Sequence, residues 1–410
     1  MKVRLFLINI FIVLGLLNSS CDIKEDELSP DESFIKVYDV NNFNLDLEPV
    51  DIIQAQDSGY IVLSKDRNEI PNILELDGEG NIKSIRTTSV EGGGSFTKPI
   101  GELMEIDNSI YFVGMNTNQE AVLFKIEEGK IGTREYSNVY QPLAVSKGPG
   151  SEILIAGYSS LQGDEIVTET STFYVMNPNS SVPKYSYNFR TEDAFTDDMI
   201  NSYLNGEADF PFFTGYIGNE TSATTYFVNT FYNFNLTTLF LNPSNDPDAQ
   251  IKGGVIGDKY SGSLLSMVHL DGDKFATAYN HLSDYYLNSA NQFNINGFVS
   301  GSDSTEVRIP EIDDQSEVII KNVEINGVET LIYAAQNKRK QVVMYSYDPT
   351  TGNFIGNLTL GNQSPYKAID FEVTSDGGMI ILAKTYVGQG RFGRIALFKL
   401  TTDQISNLIQ

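Results

Sequence analysis

A short run of β-forming residues recurs seven times along this chain, about once every 50 residues. Each copy begins with a turn rich in Gly, Asp, Asn or Ser, continues through a block of apolar residues and usually closes on a small residue. The copies lie at residues 58–64, 108–114, 151–157, 209–215, 273–278, 328–334 and 377–383. A period of this length is typical of a β-propeller, in which each repeat forms one small antiparallel sheet, or blade.

The apolar blocks are almost continuous, whereas a sheet with one exposed face alternates apolar and polar residues. We therefore expect both faces of these strands to be covered, as happens when blades stack around an axis. A second strand-like run often follows and ends in a Gly-containing turn, as in 72–76 before 77–81, which predicts hairpins. The sequence predicts an all-β propeller with seven blades. Six or eight remain open, because the fourth and fifth repeats are irregular.

The two ends of the chain predict how the ring closes. Residues 34–40 resemble a strand but precede the first full repeat, and only residues 403–410 remain after the third strand of the last repeat. If the N-terminal strand completes the last blade, no open seam is left. We expect one propeller domain over residues 33–410. A helical turn or two is expected at 196–204, inside the acidic insertion 191–209.

Residues 1–20 have the pattern of an export signal. Lys2 and Arg4 precede an apolar run at 5–17, which is too short to span a bilayer comfortably. Cys21 follows, and it is the only cysteine in the sequence. Residues 17–21 resemble the lipobox of bacterial lipoproteins, although Asn18 stands where that pattern has a leucine. The resemblance implies cleavage before Cys21 and diacylation of its thiol, and two acyl chains hold a protein stably on a membrane.

Residues 21–32 are predicted to form a flexible tether, because they are acidic, contain Pro30 and can bury little apolar surface. An acidic cluster directly behind a lipidated cysteine resembles the export signal of surface-exposed lipoproteins in the Bacteroidota. This resemblance implies that the protein is anchored in the outer membrane and displayed on the cell surface. An anchored protein that faces the periplasm is the alternative.

Charge and composition argue against several kinds of chemistry. The chain has 54 acidic and 28 basic residues and a formal net charge of −26, which repels nucleic-acid phosphates. With Cys21, His269 and His281 as the only cysteine and histidines, neither a Cys/His zinc site nor a Cys/His nucleophile pair can form. Motifs for nucleotide binding or a nucleophile elbow are also absent from the sequence. We predict no catalytic residue, metal or cofactor.

Carboxylates leave one enzymatic alternative open. Two of them, contributed by separate blades and lying about 5 to 10 Å apart, would suit a glycoside hydrolase, and a lyase with scattered carboxylates is a related alternative. The acidic turns at 77–81 and 271–273 are interpreted as plain hairpin turns, because neither completes the ligand spacing of an EF-hand loop.

Aromatic residues supply the remaining candidates for function. The Phe-rich stretch at 210–240 is expected to fill the core. The segment 279–286 instead mixes rings with Asn280, Ser283 and Asp284, and we predict a ligand-binding loop that uses Tyr279, His281, Tyr285 and Tyr286. The preferred function is a surface propeller that binds a glycan, a peptide or a partner protein, as an accessory to an outer-membrane complex. A purely structural subunit of such an assembly is the other alternative.

Overall fold

The computed structural model describes residues 33–38, 46–88, 96–128, 130–162, 165–258, 262–301, 307–361, 364–386 and 393–409. The predicted signal peptide, Cys21 and the tether lie outside these residues. The strands within them form seven sheets, each contacting the next, with the seventh contacting the first. The seven-bladed β-propeller predicted from the repeat is therefore confirmed.

The strands of the first half of the ring follow the order of the chain, after β1 (Phe34–Tyr38), which belongs to the last blade. Blade 1 contains β2 (Glu48–Gln54), β3 (Tyr60–Lys65), β4 (Pro71–Leu76) and β5 (Ile82–Thr87). Blade 2 contains β6 (Phe96–Ile106), β7 (Ser109–Asn116), β8 (Glu120–Glu127) and β9 (Lys130–Tyr140). Blade 3 contains β10 (Pro142–Lys147), β11 (Ile153–Gln162), β12 (Glu165–Asn177) and β13 (Ser180–Arg190).

The second half of the ring holds four more blades. Blade 4 contains β14 (Phe213–Asn219), β15 (Ser222–Tyr232), β16 (Asn235–Leu241) and β17 (Ile251–Ile256), with β21 (Phe298–Ser300) added at its edge. Blade 5 contains β18 (Gly262–Asp271), β19 (Lys274–His281), β20 (Asp284–Gln292) and β22 (Val307–Arg308). Blade 6 contains β23 (Ile319–Ile325), β24 (Val328–Gln336), β25 (Val342–Tyr347) and β26 (Phe354–Leu360). Blade 7 contains β27 (Tyr366–Val373), β28 (Met379–Thr385), β29 (Arg394–Leu400) and β1.

The core lies between neighbouring blades, which explains the continuous apolar runs. Every residue of β25 is buried, as are all residues of β3 except the last. Phe112 and Phe124 of blade 2 stack at 4.6 Å between ring centroids and pack against Leu63 and Ile73 of blade 1. The second and third strands thus lie between two sheets and bury both of their faces.

The predicted N-terminal closure is also confirmed. β1 pairs antiparallel with β29, from Phe34 opposite Lys399 to Tyr38 opposite Ile395. The Tyr38 hydroxyl donates a hydrogen bond of 2.7 Å to the Gly80 carbonyl and so ties blade 7 to blade 1. Nearby, buried Asp46 accepts hydrogen bonds from Arg67 of blade 1 and Arg394 of blade 7. Charged and aromatic contacts therefore support the seam on both sides.

The fourth repeat differs from the other six by one strand. In the other blades the recurring run forms the second strand, whereas the run at 209–215 leads into the inner strand β14. The second strand is β15, which carries buried Asn229 and Thr230. The Asn229 amide donates to the Pro211 carbonyl at 2.6 Å, and its oxygen accepts from Thr238. These buried polar residues interrupt the apolar run of β15.

Two faces of the ring are distinguished by their turns. The connection face carries the turns between second and third strands and the links from each blade to the next, and the return face carries the other turns. The predicted helix is present as α1 (Thr196–Leu204), in the link between blades 3 and 4 on the connection face. Short 3-10 helices lie at Pro247–Ala249 and Ser406–Leu408. No helix in the described ranges is long and apolar enough to span a bilayer.

Candidate functional site

The segment predicted as a ligand-binding loop is a β-hairpin, so the expectation of a loop is wrong. Tyr279 and His281 lie on β19, Tyr285 and Tyr286 lie on β20, and only two residues form the turn between them. Tyr279 and Tyr285 are 4% and 3% exposed. The aromatic residues are numerous because the strands are packed between blades on both sides. The interspersed polar residues concealed this burial in the sequence.

The structure brings three of the four predicted site residues together. Tyr279 lies opposite Tyr286, and the rings of Tyr279 and His281 stack at 6.5 Å on the side that faces blade 4. Tyr285 points to the other side, where its hydroxyl donates a hydrogen bond of 3.0 Å to the Ser316 carbonyl. His281 and Tyr286 are half-buried. Their role in ligand binding stays a prediction.

The turn of this hairpin carries a feature that the sequence analysis missed. Leu282 and Ser283 both have positive φ, at 48° and 69°, as in a type I′ turn. Asn233 and Phe234 form a second turn of this kind in blade 4, at 44° and 70°. Such turns favour Asn, Asp and Gly, because a bulky side chain is strained in the left-handed region. Leu282 and Phe234 are therefore unfavourable residues at their positions.

Turns of the same geometry on the return face have the expected residues. Asp107 with Asn108, and Asn326 with Gly327, also take positive φ at both positions. They connect first and second strands, whereas the turns with Leu282 and Phe234 connect second and third strands on the connection face. The unfavourable residues are thus confined to one face of the ring.

Four other non-glycine residues with positive φ near the connection face have a repeated structural role. Glu69, Gln119 and Lys340 each lie near the end of the turn between second and third strands, and Glu169 lies in the first half of β12. Their carbonyls accept the backbone N–H of Lys98, Gln141, Thr191 and Tyr366, at the link into the next blade. This contact holds neighbouring blades together. Within the described ranges, the carbonyls of Leu282 and Phe234 make no such contact.

Exposed apolar side chains surround these two turns. Leu282 is 70% exposed, Phe195 69% and Phe234 56%. We define the rim patch as five exposed residues on the connection face of blades 3 to 5, namely Phe195, Phe234, Ile256, Leu282 and Phe298. Exposed apolar side chains that gather on one part of a surface are typical of interaction sites in soluble proteins, whereas scattered ones are not.

Backbone and ring contacts connect the members of the rim patch. The N–H of Phe234 donates a hydrogen bond of 2.8 Å to the carbonyl of Thr191, which lies four residues before Phe195. Tyr232 stacks on Phe298 at 6.2 Å with an interplanar angle of 7°. Ile256 is opposite Ser300, and the adjacent Gly301 lies against the ring of Tyr279. The rim patch therefore adjoins the predicted site residues of blade 5.

A second candidate site, made of charged side chains, lies in the central channel. Lys321 of blade 6 extends its ammonium group to blade 7, where Nζ is 2.8 Å from Asp370 Oδ1 and 2.7 Å from Glu372 Oε1. Asp370 in turn hydrogen-bonds the carboxyl group of Asp51 of blade 1. We define the channel network as Asp51, Glu102, Lys321, Asp370 and Glu372.

The network continues into blades 2 and 3. The N–H of Leu103 in blade 2 donates to Asp51, and Glu102 Oε1 accepts the N–H of Lys147 in blade 3 at 2.9 Å. Glu102 is open to water in the channel although protein surrounds it. Five consecutive blades, from blade 6 through blade 7 to blade 3, are thus braced by polar contacts around the channel.

The channel network changes the ionisation of its charged groups. Burial and the neighbouring Asp370 raise the pKa of Asp51 well above its usual range. Burial lowers the pKa of Lys321, but Asp370, Glu372 and Asp51 outweigh it and raise that pKa. Burial likewise raises the pKa of Glu372 and of Glu102. Asp51 therefore keeps its proton to a higher pH in the folded protein than in the unfolded chain.

The geometry of this carboxyl pair is unlike that of a glycosidase. The catalytic carboxyl groups of glycoside hydrolases stand about 5 Å apart or more, so that a sugar or a water fits between them. Asp51 and Asp370 hydrogen-bond each other directly, and Lys321 occupies the adjacent oxygens. Across the described ranges, no three Asp, Glu, His or Cys side chains are placed to hold a metal ion. The network is better suited to bracing blades than to catalysis.

This chain is similar to known proteins in structure and not in sequence. No family model matches the sequence, and no curated protein matches it. The core factor structure from S. cerevisiae has a TM-score of 0.50 at 9% identity, over 94% of this chain and 63% of that one. A catalytically inactive virginiamycin B lyase from Staphylococcus aureus gives 0.48 at 9% identity, over 90% and 100%. BamB from Moraxella catarrhalis gives 0.40 at 9% identity, over 86% and 82%.

The likeness to the core factor structure bears on the fold alone, since the identity is 9%. The class of protein that the sheet topology defines is a seven-bladed β-propeller whose last blade is completed by its N-terminal strand.

Proposed function

We propose that this chain is a binding module that docks a partner protein on the connection face of blades 3 to 5. The observation that carries the proposal is the presence of Leu282 and Phe234, exposed and at positive φ, in turns where Asn or Gly would be favoured. Left-handed backbone costs a bulky residue roughly 1–2 kcal/mol. Strain that recurs on one face, next to further exposed apolar residues, is typical of a functional surface.

A protein is the partner that this surface favours over a glycan. Sugar-binding sites place flat aromatic faces beside groups that hydrogen-bond hydroxyls. The rim patch instead offers two aliphatic side chains and three phenyl rings, and Asp284 beside it is already engaged by Arg308 at 2.6 Å. Buried apolar anchors of this kind dominate protein–protein interfaces.

The proposal includes attachment to the outer membrane through a lipid on Cys21. Its support is the sequence pattern around Cys21 together with the position of β1. Phe34 lies opposite Lys399, at the return-face end of blade 7. The chain before Phe34 therefore joins the ring on the face opposite the rim patch. An anchored propeller would have its rim patch directed toward a partner and not toward the lipid.

The experiment is site-specific photo-cross-linking in cells that make the protein naturally. A photoreactive amino acid at Ser283, beside Leu282, should give one discrete adduct with another protein. The same amino acid at Asn179, an exposed turn residue on the return face, is the matched control and should not give that adduct. Replacing Leu282 with Asn and Phe234 with Gly should remove the adduct. Equal adducts from both faces, or one that survives both substitutions, would refute the proposal.

A further inference from the structure

Acidic side chains border one side of the rim patch. The stretch 190–209 contains six acidic residues and one basic residue, Arg190. Glu169, Glu192 and Asp198 are exposed, and within the described ranges none of them makes an ion pair. We define these three residues as the acidic flank.

Hydrogen bonds fix the acidic flank beside the rim patch. The Glu169 carbonyl accepts the Thr191 N–H at 3.1 Å, and the Thr191 carbonyl accepts the N–H of Phe234. Glu192 follows Thr191 directly. Asp198 lies three residues after Phe195, which is the N-cap residue of α1, so both lie on the same side of the helix. Apolar and negatively charged side chains therefore lie next to one another on this part of the connection face.

Two other acidic residues near the site have partners within the protein. Asp197 accepts the Tyr158 hydroxyl at 2.5 Å, and Asp284 pairs with Arg308. The acidic flank differs because, among the described residues, its carboxylates form no ion pair and are open to solvent. Their field is screened over about 8 Å at physiological salt, and Glu192 and Asp198 each lie three residues from Phe195.

From this arrangement we infer that the docked partner presents a basic amphipathic segment, in which lysine or arginine side chains flank apolar ones. The inference rests on the proposed function and specifies its partner. The apolar side chains of the segment pack on the rim patch, and its cationic side chains face Glu169, Glu192 and Asp198. Charge complementarity of this kind directs encounter and selects among apolar segments of similar shape.

The test uses defined peptides and purified protein. The probe is a fluorescent 18-residue helical peptide of leucine and lysine, and its matched controls are the leucine–glutamate peptide and a scrambled leucine–lysine peptide. Fluorescence anisotropy at low salt should show binding of the first peptide in preference to both controls. Added salt should weaken this binding, because part of the attraction is electrostatic.

Two matched triple variants separate local from global charge. The rim variant replaces the acidic flank (Glu169→Gln, Glu192→Gln, Asp198→Asn). The control variant removes three charges from the return face (Glu128→Gln, Glu220→Gln, Glu329→Gln), where all three side chains are exposed. We expect the rim variant to lose about threefold to tenfold in affinity and the control variant to lose little. Melting temperatures check that neither variant is misfolded.

Equal losses in the two triple variants would overturn the inference, because binding would then reflect only the overall negative charge. Equal binding of the lysine and glutamate peptides would also overturn it. Either result would leave the cross-link from Ser283 intact if the proposed function is correct and only the partner class is wrong. A cross-link that is absent while the lysine peptide still depends on the acidic flank would count against the proposed function instead.

Discussion

Single residues reveal the site more clearly than any motif does. Nothing in the sequence marks Leu282–Ser283 as a tight turn, since neither residue is a turn former of the Asn–Gly type. The turn could have been found only from the pairing of the two flanking strands, which the mixed polar and aromatic pattern at 279–286 obscured. Three of the four residues predicted for ligand binding, Tyr279, His281 and Tyr286, lie beside the rim patch because the hairpin that carries them ends in it.

The strain at these turns predicts a trade between stability and binding. Phe234→Gly and Leu282→Asn should each stabilise the fold, by about 1 kcal/mol, because the new residues tolerate positive φ. In a chain of this size, each change should raise the melting temperature by about 1–2 °C. Scanning calorimetry provides the measurement.

The matched control reverses the substitution on the return face. Asn108→Phe places a phenylalanine at the second position of the turn after β6, where φ is 58°. This variant should melt lower than the native chain. If Phe234→Gly lowers the melting temperature, packing of the Phe234 side chain stabilises the fold by more than its positive φ destabilises it.

At the level of strands, burial decided what could be predicted. Runs such as residues 60–64 and 379–383 were identified because both of their faces are buried, which requires apolar residues throughout. The outer strands were harder to foresee, since β5 and β26 are half exposed and mixed in composition. The strand β21 was not predicted at all. It joins blade 4 from within blade 5, and only tertiary contacts could reveal such a pairing.

Closure by β1 can be tested by truncation. A chain that begins at residue 33 keeps β1 and should melt near the temperature of a chain that begins at residue 21. A chain that begins at residue 41 loses buried Phe34 and Tyr38 and exposes the edge of β29. It should melt at least several degrees lower, as measured by circular dichroism. Equal melting temperatures would show that β1 does not contribute to the stability of the ring.

Across the whole molecule, the channel network is the part that sequence reasoning could not reach. Asp51, Lys321 and Asp370 are far apart in the chain and belong to ordinary strand sequences. Because the sequence has 54 acidic residues, we expect any one of them to be a solvated surface residue. The ring topology alone brings the three inner strands into contact and buries their charges.

The raised pKa of Asp51 predicts how stability depends on pH. Since this pKa is raised in the folded state, the native protein binds more protons than the unfolded chain above about pH 4. The stability that protonated Asp51 contributes is therefore lost as pH rises toward the native pKa. Asp51→Asn retains an oxygen for Leu103 N–H and a donor for Asp370 but cannot ionise. Its melting temperature should fall less between pH 4 and pH 8 than that of the native chain.

Asp46 provides the control of opposite sign. Burial raises its pKa, but hydrogen bonds from Arg394 and Arg67 outweigh burial and lower it. Asp46→Asn should therefore destabilise the protein at pH 7, and the difference from the native chain should shrink as the pH falls through the usual range of a carboxyl group. Parallel pH profiles for the native chain and Asp51→Asn would mean that the channel carboxyl groups titrate alike in the folded and unfolded states.

Because β1 pairs with β29, the order in which the chain emerges matters for its assembly. The first strand of the ring has no partner until the chain has been synthesised as far as residue 399. Bringing the two ends together carries the entropy cost of closing a very long loop, and contacts of such high sequence separation form late. A ribosome that stops early therefore releases an open ring with two bare sheet edges. Quality control of this protein would need to protect the open form until blade 7 is complete.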